Sequence, residues 1–210
     1  MRLILVRHAE ATANASGVAL GRDDVPLTDR GRRQAEALAA AFAGARAQAV
    51  VSSPLRRALD TARPIAELLG LPVEIAPDLI EMDVGEADGL PFPELRARYP
   101  QFLERWLSDD CADVPMPGGE TIRQVQQRAW SAVEALRQRF PDGTVVAVTH
   151  NFVIGALLCA VTGAPVSRFR RFRQGVASRA LVDLRADGAT LLALNDTSHL
   201  RAAGLGSEPW

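Results

Sequence analysis

Short apolar runs alternate along this chain with longer segments in which apolar residues recur every three or four positions. The runs predict β-strands, and the longer segments predict helices that bury one face. The predicted strands cover residues 2–6, 47–51, 71–76, 144–149, 176–184 and 190–194. The predicted helices cover residues 28–43, 54–69, 93–106, 121–140 and 151–161. This alternation predicts an α/β fold, a three-layer sandwich with helices on both faces of a mostly parallel central sheet. The order of the strands does not follow from the sequence.

Capping residues mark several of the predicted helix ends. Thr28 is a typical N-cap for the helix that follows it, since its hydroxyl can accept a hydrogen bond from a free backbone N–H. Gly70 and Gly163 follow predicted helices, as glycines that end a helix in the left-handed conformation commonly do. The polar stretch from Asn14 to Leu27 is expected to be a loop.

The alternation breaks between Asp78 and Glu120, where prolines and aromatic residues are concentrated. We expect a short helix around residues 93–106 and interpret residues 83–119 as a small helical, lid-like insertion rather than a second domain. The whole chain, residues 1–210, is therefore predicted to form one domain.

Composition excludes several classes of protein. The chain has 24 basic and 25 acidic residues and a net charge of −1, which argues against a dedicated nucleic-acid binder. The longest apolar stretch, Phe152 to Val161, is too short to span a membrane, and Leu3 to Val6 is too short for a signal peptide. We therefore expect a cytoplasmic protein without a nucleic-acid or membrane partner. All basic residues are arginines, so lysine chemistry is excluded.

Metal binding is not predicted. Cys111 and Cys159 form no CxxC pair, and a site built from the three histidines would lie beside arginines that repel a cation. His199 is interpreted as a structural or surface residue.

Unusual polar residues follow three of the predicted strands. These are Arg7-His8 after the first strand, Ser52-Ser53 with Arg56-Arg57 after the second, and His150 after residues 144–149. Ligands of open α/β sheets bind outside the carboxyl ends of the strands, where helix N-termini also offer free N–H groups. Two histidines, arginines and two helix N-termini at one edge predict an anion site of the kind that binds a phosphoryl group.

Five ordered segments carry a resemblance to a known family. They are LVRHAEATAN at residues 5–14, DDVPLTDRGRRQA around residues 26–28, SSPLRRALDTA at 52–62, LIEMDVGEADGL at 79–90 and VTHNFVIGALL at 148–158. This set resembles the histidine phosphatase superfamily, the phosphoglycerate mutase-like family. PGGET at 117–121 and LNDTSHL at 194–200 agree more weakly.

The resemblance implies roles for particular residues. His8 would be the nucleophile that becomes phosphorylated, Glu81 the general acid, and Arg7, Arg57 and a protonated His150 the rest of the phosphate pocket. Asn14 would contact phosphate, and Asn151 is counted among the substrate-binding residues. The neighbouring acidic residues are expected to raise the pKa of the Glu81 carboxyl. The arginine run Arg168 to Arg173 is interpreted as a solvated face, and Arg56 is expected to point away from the site.

The implied activity is that of a phosphoric monoester hydrolase that needs no cofactor and acts on a small phosphorylated metabolite, in a chain that could also form a homodimer. Two alternatives remain at this point. A phosphoglycerate mutase would use the same histidine, but such mutases usually carry an RHYG-like run after the acidic residue, where this chain has Met82 to Gly85. A non-catalytic regulatory module would not be expected to retain all the catalytic groups.

Four departures from the family pattern affect the expected site. Ala9 replaces a glycine, Ala11 a threonine and Asp88 a glutamate, and Asn151-Phe152 stand where small residues often follow the second histidine. None removes a catalytic group, so the departures concern the fit of the substrate.

Overall fold

A six-stranded mixed sheet forms the centre of the computed structural model, which describes residues 1–206. Residues 207–210 of the predicted domain lie outside the described part. The strands are β1 (Arg2–Arg7), β2 (Ala49–Ser52), β3 (Val73–Ile75), β4 (Thr144–Thr149), β5 (Arg179–Arg185) and β6 (Gly188–Asp196). Their order is β3-β2-β4-β1-β5-β6. The first four are parallel and β5 and β6 are antiparallel, so the prediction of a mostly parallel α/β sheet is confirmed.

Eight α-helices connect and flank the strands of residues 1–206. They are α1 (Thr12–Ser16), α2 (Asp29–Ala40), α3 (Arg56–Leu69), α4 (Phe92–Arg98), α5 (Pro100–Trp106), α6 (Ile122–Arg139), α7 (Asn151–Thr162) and α8 (Ser198–Ala202). The predicted caps hold: the Thr28 hydroxyl accepts a hydrogen bond from Gly31 N at 2.9 Å. Gly70 and Gly163 end α3 and α7 with φ of 66° and 71°.

The two faces of the sheet pack against different helices because side chains along a strand alternate between faces. Along β4, Val145 and Ala147 join the apolar cluster that contains α6 and α7, whereas Val146 and Val148 join the cluster that contains α2 and α3. The result is a three-layer arrangement of helices, sheet and helices.

The chain departs from the predicted elements at several places, three of which have a clear local form. The helical turn Thr12–Ser16 extends into the stretch from Asn14 that was expected to be a loop. Pro100 divides the helix expected at 93–106 into two, because proline lacks an N–H and fits only the first turn of a helix. The strand expected from residue 176 begins only at Arg179, since Ala177 has φ of 54°, in the left-handed region.

The register of the parallel strands places the ends of β1, β2 and β4, which precede the candidate catalytic residues, side by side. Arg7 of β1 lies opposite Thr149 of β4, and Ser52 of β2 lies opposite Val148. The residues that follow these strands therefore emerge side by side at one edge of the sheet. No helix of residues 1–206 is both long enough and apolar enough to cross a membrane.

Candidate active site

His8 and His150 lie next to each other where β1 and β4 end. Their ring centroids are 5.2 Å apart and their planes are inclined by 55°. Both side chains are buried. The parallel register of the two strands thus brings together two histidines that are 142 positions apart in the sequence (150 − 8).

The hydrogen bond of His8 determines which ring nitrogen can react. Its Nδ1 lies 2.8 Å from the carbonyl oxygen of Ala9, which can only accept, so Nδ1 carries the proton. The pKa of His8 is held well below 6.5, first by burial and then by the cations Arg7 and Arg57. The imidazole is therefore neutral, and Nε2 has a free electron pair for attack on an electrophile.

Arg7 and Arg57 are oriented through backbone carbonyls. Arg7 Nη1 donates to the Gln174 carbonyl at 2.5 Å, and Arg57 donates from Nη1 to Asp23 and from Nη2 to Gly21 at 2.7 and 2.6 Å. Burial lowers the pKa of Arg7 to about 10, a shift that the Glu81 carboxylate opposes. Both guanidinium groups therefore stay cationic at neutral pH.

Unsatisfied donors are concentrated at this site. Five buried side-chain polar atoms of residues 1–206 have no hydrogen-bond partner, and three of them belong to Arg7 (Nε), Arg57 (Nε) and His150 (Nδ1). Buried polar groups without a partner are rare and call for a ligand or water as the missing partner. Arginine and histidine donors that converge near the N-termini of α3 and α7 are suited to an oxyanion such as a phosphoryl group.

The ring of His150 is hydrogen-bonded to the side chain of Ser53. Its Nε2 lies 2.7 Å from Ser53 Oγ, which positions the ring from the end of β2. Burial first, and then the charges of Arg57, His8 and Arg7, lower the pKa of His150 well below 6.5. The lowered pKa favours the neutral form of His150, which runs against the expectation of a protonated ring. A bound phosphoryl dianion would oppose these cations and favour the protonated form.

Glu81 is a buried carboxyl close enough to Arg7 and Arg57 for their charges to affect its pKa. Its Oε1 accepts from Met82 N at 2.8 Å and its Oε2 from Phe152 N at 3.4 Å, in the first turn of α7. Burial raises its pKa, and these two N–H groups together with Arg57 and Arg7 oppose the rise. The direction was expected, but the cause is burial rather than crowding by acidic neighbours.

An arginine that the sequence analysis did not identify holds the Glu81 segment. Arg128 on α6 donates to the carbonyls of Asp78, Ile80 and Glu81 at 2.7, 2.6 and 3.0 Å, and it binds both carboxylate oxygens of Glu120 at 3.0 Å. Arg22 reaches the same Glu81 carbonyl at 3.3 Å. The only sequence signal for this group is the weakly matching PGGET segment, which includes Glu120.

Asp88 is a second residue whose position was noted but whose contacts could not be foreseen. Its carboxylate accepts from the backbone N–H groups of Gly21, Arg22 and Asp23 at 2.7, 2.7 and 2.9 Å. Gly21 must lack a side chain, since a Cβ there would lie 2.5 Å from Val84 Cγ2. This loop supplies the two carbonyls that orient Arg57.

The remaining predicted residues have different surroundings. Asn14 Oδ1 accepts from Ala11 N at 3.0 Å, so it shapes the loop after His8. Asn151 begins α7 and lines a cavity together with Arg7. Arg56 is exposed, as expected. His199 is buried, and its Nε2 donates to the carbonyl of Ala177, whose N–H in turn donates to the His8 carbonyl.

The arginine run differs in part from the solvated face that was expected. Arg168 pairs with Asp109, and Arg170 donates to the Trp106 carbonyl at 2.7 Å, so these two arginines bind the lid-like segment. Arg171 and Arg173 are exposed. Within residues 1–206, no group of three or more His, Cys, Asp or Glu side chains is placed to hold a metal ion.

Comparison with known proteins decides the family. The profile of the histidine phosphatase superfamily (branch 1) matches residues 3–197. The chain belongs to this superfamily. The resemblance inferred from the five sequence segments is therefore confirmed.

Three relatives of this histidine phosphatase are informative. Phosphoserine phosphatase 1 of Hydrogenobacter thermophilus is 35% identical over 95% of this chain and 94% of its own length. The adenosylcobalamin/alpha-ribazole phosphatase of Escherichia coli is 31% identical over 93% of this chain and 96% of its own length. The structure of mycobacterial glucosyl-3-phosphoglycerate phosphatase superimposes with a TM-score of 0.84 at 29% identity, over 93% of this chain and 99% of that one. The predicted enzyme class, a phosphoric monoester hydrolase, is confirmed by these comparisons.

Proposed function

We propose that this histidine phosphatase hydrolyses the phosphomonoester of a small metabolite through a phosphohistidine on Nε2 of His8, without a cofactor. The observation that carries the proposal is the hydrogen bond from His8 Nδ1 to the Ala9 carbonyl. It directs the unprotonated Nε2 away from the backbone, in a pocket where buried arginine and histidine donors have no protein partner. This arrangement is that of an activated nucleophile beside an oxyanion site.

In the first step, Nε2 of His8 attacks phosphorus and the bond from phosphorus to the leaving oxygen breaks. The proton of Glu81 passes to that oxygen, so the leaving group departs as a neutral alcohol and Glu81 becomes a carboxylate. Nδ1 keeps its proton, and the positive charge that develops on the ring is stabilised by the Ala9 carbonyl. The three equatorial oxygens carry the transferred charge and are bound by Arg7, Arg57 and His150.

In the second step, water replaces the alcohol. The Glu81 carboxylate takes a proton from the water while the water oxygen attacks phosphorus. The P–N bond breaks, and its electron pair returns to Nε2 of His8. Inorganic phosphate leaves, and both His8 and Glu81 regain their starting protonation states. Arg128 and Arg22, which bind the Glu81 carbonyl, position this acid and base without contacting the substrate.

The contacts of the lid-like segment at residues 83–119 support its role as one wall of the substrate site. Trp106, at the end of α5, is buried against Phe152 and Phe169, with ring centroids 6.3 and 5.6 Å away. Phe152 also offers its backbone N–H to Glu81. The insertion thus packs against the residues next to the general acid, where it can limit access of water and shape the space for the leaving group.

A trapping experiment tests the proposed intermediate. The wild-type enzyme and His8→Ala are mixed with an excess of p-nitrophenyl phosphate in the presence of EDTA, quenched in alkali and analysed by peptide mass spectrometry. We expect one added phosphoryl group on the peptide containing His8 of the wild type and none in the variant. Phosphate release without label on His8, or complete loss of activity in EDTA that zinc or magnesium restores, would contradict the proposal. Conversion of 3-phosphoglycerate to its isomer would assign a mutase instead.

A further inference from the structure

A cavity beside the phosphoryl site has a composition that selects for an anion. It has a volume of about 360 Å³, within the range of small-molecule pockets. The lining residues that matter here are Arg7, Asn151, Phe152, Phe172, Arg170 and Arg173. Because Arg7 also belongs to the phosphoryl site, the cavity opens next to the position of the transferred group. It therefore lies where a leaving group would extend.

The charges of this cavity are unbalanced. Three of its lining residues are arginines and none is acidic. Arg7 belongs to the phosphoryl site. Arg170 is already engaged: its guanidinium lies over Phe169 and Trp106, 4.4 and 4.7 Å from the ring centroids, and it donates to the Trp106 carbonyl. Arg170 therefore forms part of the wall.

Arg173 differs from the other two arginines. Its side chain takes part in no salt bridge or hydrogen bond with the residues that the structure describes, 1–206. Its neighbours in the run have other positions: Arg168 pairs with Asp109, and Arg171 is exposed and does not line the cavity. A guanidinium with free donors beside an apolar wall can bind a planar carboxylate through two parallel hydrogen bonds.

Three phenylalanines and two amides complete the lining of the cavity: Phe152, Phe169, Phe172, Asn151 and Gln174. Phe152 and Phe169 pack with ring centroids 5.6 Å apart. The rings offer an apolar surface for a short carbon skeleton. The cavity therefore combines an apolar wall with two amides and one free cation.

We infer that Arg173 binds a carboxylate on the leaving group, so that the preferred substrates are phosphomonoesters of small hydroxy acids, including hydroxy amino acids. This inference rests on the proposed function. Arg7 would hold the phosphoryl end of such a substrate and Arg173 its carboxylate end, with the carbon skeleton against Phe152. The carboxylate would add affinity in the ground state and in the transition state alike, so the effect should appear in KM rather than in kcat.

A matched pair of substrates tests the inference. O-phosphoserine and O-phosphoethanolamine have leaving groups that differ only in the carboxylate. We expect Arg173→Gln to raise KM for O-phosphoserine about tenfold or more, since a charge-assisted hydrogen bond is lost. KM for O-phosphoethanolamine and kcat for both should change less than about twofold. Arg173→Lys should recover part of the affinity, and Arg171→Gln, on the exposed neighbour, should match the wild type.

The outcomes separate this inference from the proposed function. If the wild type hydrolyses both substrates with equal KM, or if Arg173→Gln affects both equally or neither, the carboxylate assignment is wrong although the phosphatase stands. If the wild type releases phosphate from neither substrate nor from p-nitrophenyl phosphate, the proposed function fails as well. Because Arg173 is exposed, its variants should keep the thermal stability of the wild type. Melting curves of each variant and of the wild type, which should coincide, check this.

Discussion

Asp88 and Arg57 bind the same short loop from opposite sides. The Asp88 carboxylate accepts the N–H groups of Gly21, Arg22 and Asp23, and the Arg57 guanidinium donates to the carbonyls of Gly21 and Asp23. The carboxylate therefore fixes the acceptors that orient the buried Arg57, which we propose binds the phosphoryl group. It also ties the start of the lid-like segment to the proposed phosphate pocket, because Asp88 lies in that segment.

Asp88→Asn should lower the affinity for phosphoryl groups. An amide has one accepting oxygen and no charge, so at least one of the three N–H groups loses its partner and Arg57 loses its fixed orientation. We expect kcat/KM for p-nitrophenyl phosphate to fall about tenfold, together with weaker inhibition by inorganic phosphate. Glu104→Gln, on the exposed face of α5, is the control and should behave as the wild type. Unchanged phosphate inhibition in Asp88→Asn would show that Arg57 keeps its orientation without the carboxylate.

His8→Ala should abolish turnover and leave the fold intact. Covalent catalysis cannot proceed without its nucleophile, whereas the removed imidazole makes a single hydrogen bond, to the neighbouring carbonyl. We expect less than about a hundredth of the wild-type rate and an unchanged circular dichroism spectrum. Arg56→Gln, at an exposed position of α3, is the control and should retain activity. Residual turnover above that level in His8→Ala would assign the nucleophile to another group.

Glu81→Gln should separate substrates by leaving group. Alkyl phosphates need a proton on the departing oxygen, so their hydrolysis should slow by about a hundredfold or more. Phosphorylation of His8 by p-nitrophenyl phosphate needs little protonation and should remain fast. The phosphohistidine should then accumulate, because the base for its hydrolysis is also absent, and stopped-flow measurement should show a burst of nitrophenolate followed by slow turnover. Equal slowing of both substrate classes without a burst would place the acid elsewhere, with Asp83 as the next residue to test.

The pH dependence of activity should follow the protonated form of Glu81. Burial raises the pKa of this carboxyl, and the first step requires its proton. The kcat/KM for an alkyl phosphate should therefore fall as the pH rises through that raised value, and the enzyme should work best on the acidic side. The same profile measured with p-nitrophenyl phosphate should be flatter. A decline of equal steepness for both substrates would point to a group other than the acid.

Stability should depend on pH through the buried histidines. The folded protein lowers the pKa of His8 and His150, so their neutral forms stabilise the fold above the unfolded value of about 6.5, and this stabilisation is lost as the pH falls below it. Each group can contribute up to about 1.4 kcal/mol per pH unit to the loss. Urea unfolding at about pH 7.5 and about pH 5.5 should show a smaller loss for His8→Ala than for the wild type. Saturating phosphate should also reduce the wild-type loss, because the anion favours protonated His150. Equal losses in both proteins would contradict burial as the cause.

How far the sequence predicts the structure differs between the backbone elements and the candidate site. The strand at Thr144–Thr149 matches the prediction residue by residue because six consecutive β-favouring or apolar positions end at a histidine that begins a helix. The Thr28 cap was equally predictable, since capping is a contact between residues three apart. The division of the lid helix at Pro100 was also encoded locally, but it was not foreseen.

The sequence by itself determined the α/β class, the ordered motifs of the superfamily and the residue types for phosphoryl transfer, because each depends on short-range pattern. Only the tertiary structure decided the strand order, the hydrogen-bond partners of His8 and His150, and the contacts of Arg128 and Asp88. These depend on contacts between residues far apart in the chain: Arg128 meets the Glu81 carbonyl across 47 positions and Asp88 meets Gly21 across 67. Burial and hydrogen-bond partners set pKa values and orient side chains, and both exist only once the sheet and its two helical layers have assembled.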